Sequence, residues 1–268
     1  MNWPNYTTEI SDLTLGLNRL SELLRLSLTP ESNPWLVLIA LTMELDHLFI
    51  FTHQPQQAAN SLQSFGLTEG TANVHPGQGT ACRRFFFQNM YLEFAWVISE
   101  DELKNPVIKR THLWERSQYQ HTHYCPVGFC FRTKPSSGQS IRLLFEDGWR
   151  YQSDYLPPGQ YANIASNEDY PAEPMLFEMP FFGLAPKDYP PEKQQPLTHA
   201  KGFQELTKVT LTLNPSTDAL SPAMKKVLTE SLIHYLTGED YQITLQFDDG
   251  KYGQQQRFMP LLPLVVTW

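Results

Sequence analysis

One carboxylate inside an otherwise apolar strand constrains this chain more than any other feature. Residues 91–97 read Tyr-Leu-Glu-Phe-Ala-Trp-Val, a run of high strand propensity interrupted only by Glu93. In a strand, Tyr91, Glu93, Ala95 and Val97 share one face, while Leu92, Phe94 and Trp96 share the other. The face with Glu93 is the smaller and more polar, as a pocket lining would be. Gln88-Asn89-Met90 joins this strand to the preceding Phe85-Phe86-Phe87 run over about the length of a hairpin connection. A further apolar strand, 44–52, carries Asp46 and His47 at its start. A carboxylate or imidazole buried alone is strongly unfavourable, so each of these groups needs a partner. For Glu93 the choices are an ion pair with Arg83 or Arg84, a role as catalytic base, or a metal ion shared with His47.

Local signals set out the rest of the chain. Ala58, Leu62 and Phe65 fall on one face of a helix over 55–65, which Gly66 terminates. Residues 67–80 then hold a short second strand and the loop His75-Pro76-Gly77-Gln78-Gly79-Thr80. The loop reads as a tight turn that needs its glycines, or as backbone donors for an anionic substrate. The stretch 100–125 is polar and aperiodic, with His112, His121 and His123. Strands are expected at 127–132 and 141–145, and a short one at 176–179 within a Pro-rich, aromatic excursion over 154–198. An alternating strand follows at 206–213. Ser221-Pro222 caps a helix carrying Met224, Val227, Leu228, Leu232 and Leu236, closed by Gly238. Strands at 241–247 and 257–267 complete a second strand–helix–strand–turn–strand series like that of 44–97, which argues for a duplicated α+β module. Ahead of all this, Leu13, Leu17, Leu20, Leu24 and Leu28 recur as in an amphipathic helix. That stretch, 1–42, reads as a helical extension that docks a partner or mediates a homodimer, or as residues upstream of a true start at Met43.

Five motifs then bring a family into view: Asp-His-Leu-Phe-Ile at 46–50, a helix ending Phe-Gly-Leu at 65–67, His-Pro-Gly-Gln-Gly-Thr-Ala at 75–81, Arg-Arg-Phe-Phe-Phe-Gln-Asn at 83–89, and the Glu93 strand. Together they resemble the vicinal-oxygen-chelate superfamily, specifically its glyoxalase-like branch, over residues 43–97. The resemblance implies an α+β fold in which two βαβββ-like modules form a cupped mixed sheet; the Pro-rich region is then an insertion, and residues 1–42 an N-terminal extension outside the family pattern. Module one would span 43–100, the insertion 101–203 and a degenerate module two 204–268. It implies a divalent metal ion held by His47 and Glu93, with Glu93 also the catalytic group. A small oxygen-rich substrate would undergo lyase, isomerase or dioxygenase chemistry, bound by His75, Gln78, Thr80 and Arg84. The superfamily draws its further ligands from the second module, and here the pattern departs. Lys208 stands where a second histidine would if 206–213 matches 45–52, and Pro126 stands near that place if 127–132 does. The final strands, 258–268, hold no carboxylate, so His75, His121, His123 or His199 and water would have to complete the set. A metal-free module that sequesters an apolar or aromatic small molecule is the alternative. A third reading is an interaction protein that uses the N-terminal helix.

Composition narrows the partners. A net charge of −8 argues against nucleic acid and anionic membranes, both of which need a basic surface. The apolar stretch at 35–51 contains Glu44, Asp46 and His47, too many polar groups for a membrane span. No signal-peptide pattern opens the chain. Cys82, Cys125 and Cys130 form no C-x-x-C pair, which fits a reduced, cytoplasmic setting. Cys82 precedes two arginines that would lower its pKa, unless it packs as a small buried residue.

Overall fold

The computed structural model describes residues 43–135, 140–213 and 219–268, so the helix expected over 1–42 lies outside the described residues. The described residues open with β1 (Met43–Phe51), whose alternating side chains serve two environments. Helix α1 (Pro55–Phe65) follows, with its proline in the first turn, where the missing N–H breaks no helical bond. It buries Ala58, Ala59 and Leu62, and Gly66 ends it at φ 112°, returning its N–H to the Leu62 and Gln63 carbonyls. Strands β2 (Asn73–His75), β3 (Thr80–Phe86) and β4 (Tyr91–Val97) follow, β3 and β4 as the expected hairpin. The last of these returns parallel to β1.

The other half of the sheet comes from a segment expected as an insertion. Four short helices, α2 (Glu100–Leu103), α3 (Pro106–Lys109), α4 (Leu113–Ser117) and α5 (Tyr119–Thr122), lead into β5 (Val127–Thr133), which pairs antiparallel with β1. Strands β6 (Trp149–Tyr151), β7 (Ala162–Ile164) and β8 (Met175–Phe182) follow, and β8 lies parallel to β5 as β4 does to β1. The eight-stranded order is β2-β3-β4-β1-β5-β8-β7-β6, the same four-strand arrangement on each side of the β1–β5 pair. Of the two counterparts considered for β1, β5 is therefore the one beside it, with His47 opposite Cys130 and Phe49 opposite Gly128.

Residues 206–267 build a separate, mixed sheet from β9 (Leu206–Leu213), β10 (Ile233–Thr237), β11 (Gln242–Phe247), β12 (Gln255–Arg257) and β13 (Leu264–Thr267). Its centre repeats the first sheet in reduced form: antiparallel β9 and β11, each flanked by a parallel strand. Two local expectations are corrected here. Helix α6 (Pro222–Glu230), capped by Ser221, stops short of Leu232 and Leu236. Ser231 turns extended at φ −134°, ψ 178°, and Ile233–Thr237 pairs with β9 instead, because a leucine every fourth residue suits a helix and a strand alike. Nor is 141–145 a strand: the Leu144 and Phe145 N–H groups donate to the buried Glu178 carboxylate at 2.7 and 2.9 Å.

Both sheets share one core. Leu48, Ile50, Leu92, Phe94, Phe129 and Phe131 cluster with α1 and with Val209, Leu211, Ile243 and Leu245 of the second sheet. Each such side chain stabilises the fold by about 1.5–3 kcal/mol when fully buried. The opposite face of the first sheet, with Phe49, Phe51, Cys82, Ala95 and Met175, forms a second cluster. It surrounds the cavity described next.

Candidate functional site

Period-two alternation brings the sequence-predicted residues together. His47 and Phe49 of β1, Tyr91 and Glu93 of β4, and Met175, Phe177 and Met179 of β8 all line one cavity of about 180 Å³. His75, Gln78 and Arg84 line it too, with Tyr155 and Leu156 from the β6–β7 loop. Thr80 is not among the lining residues. It sits 2% exposed behind them, with its hydroxyl 2.9 Å from His75 Nδ1 and accepting from Gln78 Nε2 at 2.7 Å. Gln78 in turn accepts a 2.6 Å bond from the Tyr151 hydroxyl. The glycine loop is a tight turn: the Gln78 and Gly79 N–H groups both donate to the His75 carbonyl. Gly79 adopts φ 80°, and a Cβ there would fall 2.3 Å from the Ser99 carbonyl oxygen.

A register shift in β1 between Leu45 and His47 marks a bulge at Asp46. Asp46 Oδ1 lies 2.7 Å from His47 Nδ1, and Asp46 Oδ2 accepts from Arg132 at 3.2 Å. Burial alone would raise the Asp46 carboxyl, but the bond to His47 and the charges of His47 and Arg132 outweigh it and hold it below the ordinary value. An ionised carboxylate only accepts, so the proton between the two is on His47 Nδ1, and Nε2 is left for the cavity. The ring is fixed further by stacking on Tyr91 at 4.5 Å and by the edge of Phe177 at 5.6 Å. Arg132 itself is 1% exposed and also bonds Glu44 and the Asn89 carbonyl, so one guanidinium ties β5 to β1 and to the hairpin turn.

Glu93 is 7% exposed. Its Oε1 accepts a 3.4 Å bond from the Cys82 thiol, and it forms no ion pair among the described residues. The arginine opposite it in register, Arg84, donates instead to the carbonyl and hydroxyl of Thr71, while Arg83 pairs with Glu69 at 2.6 Å. The ion-pair alternative for Glu93 is thus not what the fold builds. Nor is Cys82 an activated thiol: burial, and then the charge of Glu93, push its pKa far up. Burial pushes the His75 imidazole below its usual value, although the Glu93 charge pulls the other way.

The donor set is half of what a fully protein-ligated ion needs. Asp46, His47 and Cys130 offer atoms within 4.8 Å of one another, but Asp46 is committed to Arg132, and burial holds the Cys130 thiol protonated. The second half of the sheet turns Gly128 toward Phe49 and presents Met175, Phe177 and Met179 to the cavity, with no imidazole or carboxylate among them. Of the histidines that could complete the set, His121 and His123 do not line the cavity, and His199 is bound to the Thr68 N–H and the Phe86 carbonyl. His75 lines it but, among the described residues, forms no group with His47 and Glu93 whose ligand atoms all lie within 4.8 Å of one another. The described residues therefore do not complete a metal ligand set around His47 and Glu93.

Sequence reasoning missed most of the apolar wall: Phe49, Tyr151, Tyr155, Met175 and Phe177. The parity signal that singled out Glu93 would also have found Met175 and Phe177 once β8 was known to join the first sheet. Tyr151, at the end of β6, and Tyr155, in the loop after it, carried no local signal, since both reach the cavity only through folding.

Comparisons with known proteins agree with this architecture. The family model for a glyoxalase-like domain matches residues 45–228. No curated protein matches the chain. A solved structure titled as a hypothetical protein from Staphylococcus aureus superposes with a TM-score of 0.50 at 10% identity, covering 84% of this chain and 98% of that one.

Proposed function

Because this chain belongs to the glyoxalase-like domain family, we propose that it binds a small, largely apolar or aromatic molecule in the cavity of its eight-stranded sheet. The observation that carries this reading is the division of the cavity wall. Rings and thioethers of Phe49, Tyr155, Met175, Phe177 and Met179 form one part of it, while His47, Asn73, His75, Gln78, Arg84 and Glu93 form a polar part. Aromatic walls supply affinity for an apolar body, and the fixed polar groups supply orientation. Ala162 lines the cavity from β7, so Ala162→Phe fills it. Compounds from a fragment screen that bind the wild type and lose affinity in the folded Ala162→Phe protein support the reading. Binding indifferent to the substitution refutes it.

A second reading, metal-assisted lyase, isomerase or dioxygenase chemistry with His47 and Glu93 as ligands, is favoured by the Asp46–His47 bond, since a carboxylate behind an imidazole orients it toward a metal. A bound divalent ion would supply Lewis-acid stabilisation of an oxyanion. In this reading Glu93 would take a proton from the bound molecule. Elemental analysis of the purified protein decides between the two. Near-stoichiometric metal removed by both His47→Ala and Glu93→Ala supports the second reading, and its absence after soaking with divalent ions leaves the first.

A further inference from the structure

We propose that the ligand of this cavity is an organic cation, a protonated amine or quaternary ammonium on a small apolar or aromatic body. The inference rests on the reading of the cavity as a binding site and deepens it. Glu93 is 7% exposed, yet the only donor that reaches it among the described residues is a thiol, a weak one, at 3.4 Å. A carboxylate taken out of water calls for a positive charge. The fold places Arg84 directly across the hairpin from Glu93 and in the same cavity wall, but its Nε and one terminal nitrogen donate to Thr71, 2.7 and 2.8 Å away. Its guanidinium rests against the rings of Phe86 and Tyr91 rather than on the carboxylate. His47 donates its Nδ1–H to Asp46, and His75 Nδ1 lies against Thr80. The positive partner of Glu93 is therefore left to the ligand.

The walls favour the same chemistry. Phe49, Tyr155 and Phe177 line the cavity with Glu93, and aromatic faces attract a desolvated cation through their quadrupoles. A carboxylate among several rings holds an ammonium group by charge and by cation–π contact together. The same rings would hold a neutral molecule through burial alone, and an anion would meet Glu93 at close quarters. Charge discrimination is thus the signature that separates a cation site from a plain apolar pocket.

The test uses benzylammonium, benzyl alcohol and benzoate, three probes of one shape and different charge. Binding is followed at neutral pH through the methyl NMR signals of Met175 and Met179, which report from inside the cavity. Benzylammonium is expected to bind about tenfold or more tighter than the other two, a difference of about 1.4 kcal/mol. In Glu93→Gln that preference should collapse while benzyl alcohol still binds. Equal affinities in the wild type, or a preference for benzoate, overturn the proposal and leave the binding cavity standing. A cation preference that survives in Glu93→Gln overturns the assignment of Glu93. If no probe of any charge shifts the Met175 and Met179 signals, the cavity reading falls and the proposal with it. The wild-type series alone decides the charge preference should Glu93→Gln fail to fold.

Discussion

Replacing Arg132 by methionine tests the ionic structure behind His47. Arg132 is 1% exposed and donates to Asp46 at 3.2 Å, to Glu44 at 2.8 Å and to the Asn89 carbonyl at 2.8 Å. Methionine keeps much of the stem volume and removes every donor. The Glu44 side chain is 33% exposed, so its share is close to that of a surface pair, about 0–1 kcal/mol. Asp46 is 15% exposed and would be left with His47 as its only partner, and breaking a buried pair from one side destabilises by about 3–5 kcal/mol. The Asp46 term therefore dominates, and we expect Arg132→Met to lower stability by about 3–5 kcal/mol. Asp46→Asn should be milder, at about 1–3 kcal/mol, because Arg132 retains Glu44 and Asn89 and an asparagine oxygen can still accept from His47. In the double variant the stranded charge is gone, so the two effects should fall short of their sum by about 1–3 kcal/mol. Urea unfolding of the four proteins at pH 7, with m-values compared, measures this coupling. A coupling near zero, or a loss under about 1 kcal/mol for Arg132→Met, would refute the argument that Arg132 exists to compensate Asp46.

Glu178, 1% exposed, accepts from the Leu144 and Phe145 N–H groups and from Asn163, so Glu178→Gln should destabilise by about 2–4 kcal/mol, read from thermal unfolding; an unchanged midpoint would show that the 141–145 segment is held some other way. Burial lowers the His199 pKa despite its bond to the Phe86 carbonyl, and its Nδ1 must stay unprotonated to accept from Thr68. The unfolded chain then binds more protons below the ordinary histidine range, so stability present above about pH 6.5 should be lost as pH falls toward the folded pKa. His75, also lowered, adds to the same slope, and His199→Gln should flatten it; a pH-independent urea midpoint between pH 7.5 and 5.5 would contradict both. A Cβ on Gly128 would meet the Phe49 ring at 2.2 Å, so Gly128→Ala should cost about 1–3 kcal/mol, or push Phe49 into the cavity and weaken ligand binding, and unfolding and probe titration together distinguish the two.

What the sequence by itself determined is local. Helix α1 and its Gly66 terminus, the β3–β4 hairpin and the two faces of β4 follow from periodicity and turn chemistry within a dozen residues, and the structure reproduces them. The same parity brought His47, Glu93 and Arg84 to one cavity, although it left open whether Arg84 would bond Glu93 or, as it does, Thr71. Only the tertiary structure decided which strands share a sheet. The strands at 127–133 and 206–213 both alternate well enough to stand beside β1, and the choice between them rests on packing over distances that no local pattern spans. The leucine spacing around 228–236 likewise fitted a helix until β9 offered an edge for Ile233–Thr237 to pair with. The polar partnerships were equally invisible in sequence. Arg132 meets Asp46 across 86 positions and Glu178 caps Leu144 across 34, because a buried charge takes the partner that the folded chain brings within reach.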